Sequence, residues 1–116
     1  MNSLLSSYIK EKGDHTDIPK SSITLSLKDR DTNQDISSVI FEKTSYGYHI
    51  ILSVTDEKHR NRGLAKYLVN TILAKRGDKE YVSCNVLFSE SYNLQFWKKC
   101  GFKEHGILDG YIQLIN

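Results

Sequence analysis

His59-Arg60-Asn61-Arg62-Gly63-Leu64-Ala65, HRNRGLA, stands where the hydrophobic period of the chain changes. Before it runs GYHIILSV, a β-rich apolar stretch. After it, KYLVNTILAK repeats apolar residues at helical spacing. The segment therefore reads as a strand-to-helix junction. A helix N-terminus presents unpaired N–H groups and the positive end of the helix dipole, which together form an anion site. Gly63 lets a ligand approach the backbone and can take a positive φ. Arg60 and Arg62 add charge, and Ala65 leaves room. The pattern describes a cradle for phosphate, most naturally a diphosphate spanning several N–H groups. The bland alternative is a turn whose arginines are only solvated. The glycine patterns of a P-loop and of a dinucleotide-binding turn are both absent.

Outward from this junction the order of elements is legible. Upstream, ITLSL (Ile23 to Leu27), ISSVIFEK (Ile36 to Lys43) and HIILSVT (His49 to Thr55) read as three strands. The short turns DRDTNQD and TSYGY join them, so an antiparallel meander is expected. A helix is expected over residues 3 to 12, stopped near Gly13 and followed by a polar connector. Downstream, a helix from Gly63 to Lys75 has Leu64, Leu68 and Ile72 on one stripe, with Tyr67 beside them and Gly77 as its stop. YVSCNVLF (Tyr81 to Phe88) reads as a strand buried on both faces. SESYNLQFWKKC reads as a helix, capped by Ser89 or Ser91, with Leu94 and Trp97 on one face and Phe96 and Cys100 on another. GFKEHG and GYIQLIN then pair as two strands around ILDG. The fold class is α/β: a mixed, mostly antiparallel sheet with flanking helices.

The chain of 116 residues is expected to be one domain, with residues 1–20 a helix plus connector and 21–116 the core. A formal charge of +2 argues against bulk nucleic-acid binding. A local contact surface of Lys58, His59, Arg60, Arg62 and Lys66 remains as a rival reading. The two cysteines, Cys84 and Cys100, have no metal-ligand spacing, and they read as reduced thiols buried as small hydrophobes. No metal site is expected. No apolar run approaches the roughly 18 residues of a membrane span. The first residues carry lysines after the apolar positions, the reverse of a secretory leader, so a cytoplasmic location is expected.

Arg60-x-x-Gly63-x-Ala65 resembles the [Q/R]-x-x-G-x-[G/A] pyrophosphate loop of the GNAT superfamily of acyl-CoA-dependent N-acyltransferases. FWKKCGF, Phe96 to Phe102, is similar to the aromatic-x-x-x-Gly-Phe segment that closes the fourth helix of that family. The resemblance covers roughly Ile23 to Ile115. It implies that the strand Ile51 to Thr55 splays from Tyr81 to Phe88 to admit acetyl-CoA as co-substrate. It implies main-chain contacts to the pantetheine near Val54 and Thr55, and a diphosphate held by Arg60, Asn61, Arg62, Gly63, Leu64 and Ala65. The activity implied is direct acetyl transfer to a primary amine, on a small molecule or a protein, with strand N–H groups polarising the thioester carbonyl.

Three positions depart from the family pattern. The front is short, with one helix where the family has a further strand and two helices, so a dimer or partner could complete the amine wall. The exposed edge Ile23 to Leu27 also makes a homodimer plausible. Trp97 stands where a tyrosine often acts as general acid; it reads as a core or cofactor-packing residue, and Tyr92 is a nearby substitute. Glu90 replaces a frequent Asn, with Asn93 one turn later as a candidate cofactor contact. Glu90 is a candidate base toward the amine or a solvated acid at a helix start. His49 and His59 are chemically sensible bases that also read as ordinary sheet and loop residues. The rival to catalysis is an acyl-CoA-binding regulatory or interaction module.

Overall fold

A computed structural model describes residues 2–12 and 18–116 of the chain. The stop expected near Gly13 and residues 13–17 of the connector lie outside the described residues. Helix α1 (Ser3–Lys12) is followed by strands β1 (Ile23–Lys28), β2 (Asp35–Thr44) and β3 (Gly47–Thr55). Helix α2 (Leu64–Leu73), strand β4 (Tyr81–Leu87), a 3-10 segment (Phe88–Asn93), helix α3 (Leu94–Lys99) and strands β5 (Lys103–Leu108) and β6 (Tyr111–Ile115) complete it. All six strands form one sheet in the order β1-β2-β3-β4-β6-β5. Only β3 and β4 run parallel, because α2 is the crossover between them; the other neighbours are antiparallel.

Strand alternation sends successive side chains to opposite faces and so divides the core in two. Val39 and Phe41 of β2, Ile50 of β3, and Val82, Cys84 and Val86 of β4 meet Leu68, Val69 and Ile72 of α2. Trp97, Cys100 and Phe102 close this larger core at its other end. Ile40 and Val54 face the other way and meet Leu5 of α1 in a smaller core. Asn2 docks that helix. Its side-chain oxygen accepts the Leu5 N–H at 2.9 Å, and its amide donates to Ser38 Oγ at 2.9 Å and Ser26 Oγ at 3.1 Å. One residue thus caps a helix and pins it to the sheet.

Several expectations are corrected. The helix expected from Ser89 to Cys100 is α-helical only over Leu94–Lys99, since Glu90 at φ −119° and ψ 30° interrupts the first half. Neither Ser89 nor Ser91 caps it; no side chain caps this helix. Trp97 and Cys100, expected on different faces, share one core. Tyr67 is 62% exposed and Val69 takes the buried place beside Leu68 and Ile72. β4 is buried at Val82 to Cys84 and at Val86, but Asn85 and Tyr81 are exposed. Among the described residues, no helix is long and apolar enough to cross a membrane.

Gly47 opens β3 at φ 146°, and a Cβ there would lie 2.1 Å from the Tyr81 carbonyl oxygen. Only glycine fits this entry into the parallel β3–β4 pair. Gly47→Ala should lower unfolding stability in urea by about 2 kcal/mol or more. Gly106→Ala, which meets open space, should change it by under about 0.5 kcal/mol.

Candidate active site

The parallel pairing of β3 with β4 runs from Gly47↔Tyr81 to Ile50↔Cys84 and ends there. β3 continues to Thr55 and β4 to Leu87. Beyond that rung the two strands part. The β4-facing edge of β3 from Ile51 to Thr55 therefore has no strand partner. A bulge marks the same place: Ile40 pairs with Leu52 and Phe41 with Ile50, leaving Ile51 as the extra residue. The bulge resets the alternation, so Ile50 joins the large core while Ile51 and Leu52 pack toward α1. The opening becomes a cleft of about 930 Å³.

The HRNRGLA junction forms one end of this cleft. Asn61 (φ 65°) and Gly63 (φ 75°) are both left-handed, which folds the chain tightly from the 3-10 turn Glu57–His59 into α2. Gly63 is the N-cap residue of α2 and no side chain caps the helix. Its first helical bond is Tyr67 N–H to the Gly63 carbonyl at 3.0 Å. The N–H groups of Leu64, Ala65 and Lys66 precede that bond, and these residues line the cleft. A Cβ on Gly63 would meet nothing within 4 Å, so its space belongs to the cleft. An anion of diphosphate size fits this cradle of free donors, helix dipole and open volume.

Two side-chain contacts hold the turn. Arg60 Nε donates to the Thr55 carbonyl oxygen at 3.2 Å, tying the loop to the end of β3. His59 Nδ1 lies 2.9 Å from Asp56 Oδ2. This hydrogen bond holds the Asp56 carboxyl below its usual range. Asp56 and His59 thus fix the turn more directly than they face a substrate.

Thr55, Arg60, Asn61, Gly63, Leu64, Ala65, Glu90, Asn93 and Trp97 all line the cleft, as sequence placed them near the cofactor or the amine. Three residues are not brought there. The Val54 side chain packs with Leu5 and Ile40 beneath α1, leaving only its backbone for a ligand. Arg62 is exposed outside the lining. Tyr92 is 68% exposed and lies outside the cleft, although Ser89, Glu90 and Asn93 of the same 3-10 segment line it. Trp97 is 8% exposed and packs edge-to-face on Phe96 and Phe102, with centroids 5.0 and 5.2 Å away. It is at once a cleft wall and a core residue.

Other groups escaped the sequence reading. Tyr8 of α1, Asn85 and Leu87 of β4, and Tyr111 of β6 also line the cleft. The alternation around Ile112 and Leu114 was the signal for Tyr111: these two are buried, so Tyr111 faces the other side. A polar network sits beside the last rung. His49 Nδ1 and Tyr46 Oη each lie 2.7 Å from Ser83 Oγ, and Ser83 is buried. Burial holds the His49 imidazole below its ordinary value, opposed by the nearby Glu42 carboxylate. Cys84 also lines the cleft, but burial, with Cys100 beside it, pushes its thiol far up, so it carries no thiolate nucleophile. No cluster of three metal-ligating side chains occurs among the described residues.

No curated protein matches the chain. The fold is shared with solved acetyltransferase structures. A protein assigned as an acyl-CoA N-acyltransferase from Klebsiella pneumoniae superposes with a TM-score of 0.73 at 12% identity, over 97% of this chain and 83% of that one. A Bacillus subtilis acetyltransferase in complex with CoA gives a TM-score of 0.69 at 14% identity, over 98% of this chain and 84% of that one. A protein assigned as a streptothricin acetyltransferase from Bacillus anthracis, in complex with acetyl coenzyme A, gives 0.66 at 19% identity, over 84% of this chain and 61% of that one. The family model described as the acetyltransferase (GNAT) domain matches residues 22–104, more than half of the chain. That span holds the meander, the glycine junction, the parted strands and the aromatic helix, and the chain belongs to the GNAT acetyltransferase family.

Proposed function

We propose that this protein transfers an acetyl group from acetyl-CoA to a primary amine by direct attack. The observation that carries the reading is the parting of β3 and β4 beside an uncapped helix N-terminus opened by Gly63. The N–H groups of Leu64, Ala65 and Lys66 hold the diphosphate, with Lys66 and Arg60 at the cleft for charge. The unpartnered edge of β3 from Ile51 to Thr55 supplies main-chain groups to the pantetheine. Bound acetyl-CoA supplies the activated acetyl thioester. Backbone donors at the parted edge polarise its carbonyl without reorganisation, which is where electrostatic stabilisation acts most strongly.

His49 lies outside the cleft lining, so in this reading it accepts the proton through a bridging water. It stands one residue before the last β3–β4 rung, on the face opposite Ile50. Its hydrogen bond to Ser83, itself bonded to Tyr46, fixes the ring. With its pKa held below the ordinary 6.5, the imidazole is neutral near pH 7 and able to take an ammonium proton. Trp97 removes the usual phenol from the leaving-group side. A thiol ionises only about 1.5 units above neutrality, so departure as thiolate needs little help from an acid.

Titration calorimetry tests the cofactor half. Wild type should bind acetyl-CoA with a Kd of order micromolar, about −8 kcal/mol. Gly63→Glu places a carboxylate in the diphosphate cradle and should weaken binding at least about 30-fold, or about 2 kcal/mol. Absence of binding to wild type would remove the proposal.

The pH profile tests His49. A folded-state pKa below 6.5 puts the acid limb of kcat/KM below pH 6.5, with activity lost as pH falls and the base protonates. His49→Gln should lower kcat roughly 100-fold, erase that limb and leave the acetyl-CoA Kd unchanged. Retention of both rate and limb in the variant would exclude His49.

Direct attack also predicts no acyl-enzyme. Mass spectrometry after incubation with acetyl-CoA alone should show the unmodified chain, because Cys84 remains a thiol. An acetyl adduct on Cys84 would replace direct transfer with a two-step route.

A further inference from the structure

The two faces of the sheet give the cleft two chemically different sides. On the face of α2 and α3, Arg60 and Lys66 stand at the diphosphate cradle, and Lys99 adds a third cation to the lining. The other face is reached by alternation. Cys84 and Val86 point into the large core, so Asn85 and Leu87 point to the opposite face of the sheet, the face on which α1 packs. Leu114 points into the same core, so Tyr111 shares the face of Leu87, its direct cross-strand partner. The bulge brings Ile51 to this face, and α1 contributes Tyr8 and Ile9. With Leu52, which packs on the same side and lines the cleft, this second wall has two tyrosines, two isoleucines, two leucines and one asparagine, and no charged side chain among its described residues. Among the described residues, Glu90 is the one carboxylate that lines the cleft.

Resting on the proposed acetyl transfer, we propose that the acceptor is a primary monoamine with an apolar, preferably aromatic, body. Two features define this class. The wall of Tyr8, Ile9, Ile51, Leu87 and Tyr111 takes a ring or branched alkyl chain out of water at roughly 25 cal/mol per Å². The single carboxylate matches a single ammonium. A polyamine or aminoglycoside brings several ammonium groups, and each additional one would be desolvated against this wall with no counter-charge, at a cost of several kcal/mol. The amine end of the monoamine points to the parting of the strands at Ile51, where the bulge opens the sheet.

The test is a steady-state comparison of 2-phenylethylamine and isopentylamine with spermidine and kanamycin, at saturating acetyl-CoA, with the acetyl-CoA Kd measured on the same sample. The kcat/KM for 2-phenylethylamine should exceed that for spermidine and for kanamycin by at least about 30-fold, roughly 2 kcal/mol of discrimination. Leu87→Asp puts a carboxylate in the apolar wall. It should lower kcat/KM for 2-phenylethylamine about tenfold and raise that for spermidine, while the acetyl-CoA Kd stays within about twofold, which shows that the variant is folded. Preference for spermidine or kanamycin, or no turnover of either apolar amine by protein that binds acetyl-CoA, overturns the acceptor class alone. Failure of wild type to bind acetyl-CoA overturns the transfer reading, and the acceptor class with it.

Discussion

Everything in this cleft depends on one interruption: the β3–β4 hydrogen bonds stop at Ile50 and Cys84 while both strands continue. Buried backbone groups are almost always paired, so an open edge in the middle of a sheet is a costly arrangement unless water or a ligand completes it. The cost is sustained by the surrounding frame. β2 stays paired with β3 as far as Ser37↔Thr55, and β6 stays paired with β4 as far as Leu87↔Tyr111. Each arm is thus held on its outer side and free on its inner side. At the foot of the opening the arms are fastened by Gly47 against Tyr81 and by the His49–Ser83–Tyr46 network.

The opening also aligns with the helix dipole. α2 begins at the end of the arm formed by β3, and it begins without a capping side chain. A side-chain cap would satisfy the same N–H groups that an anion requires. Gly63 therefore serves twice: its left-handed φ makes the turn, and its missing Cβ keeps the cradle open. Arg60 is spent largely on the turn itself, through the Thr55 carbonyl. Positive potential at the cradle then rests on the dipole and on Lys66 as much as on the arginine that marks the motif.

The junction, the meander and the second half of the sheet were legible in the sequence because each is written in local terms: period, turn residues and a glycine after charge. Helix α1 was legible for the same reason. The bulge at Ile51 was not, since one extra residue in a run of HIILSVT leaves no trace in composition. The kink at Glu90 was equally hidden, in a segment where Tyr92 faces solvent while Glu90 and Asn93 line the cleft. Tyr111 and Tyr8 are far apart in sequence and meet only through the sheet order and the docking of α1 by Asn2. Local periodicity reports which side of an element is buried; it does not report which two elements share a cavity.

Trp97 shows how the core and the site constrain one another. Its ring is held between Phe96 and Phe102, in a core that also contains Val69 and Ile72 of α2. An indole fills this place with more apolar area than a phenol and needs less access to water. The same residue walls the cleft, so one side chain sets both the packing of the core and the shape of the site. The proposed transfer then leans on positioning, on backbone donors at the parted strands and on a base held by the sheet. Ser83 and Tyr46 hold the His49 ring, the base the proposed transfer invokes, as Phe96 and Phe102 hold the tryptophan.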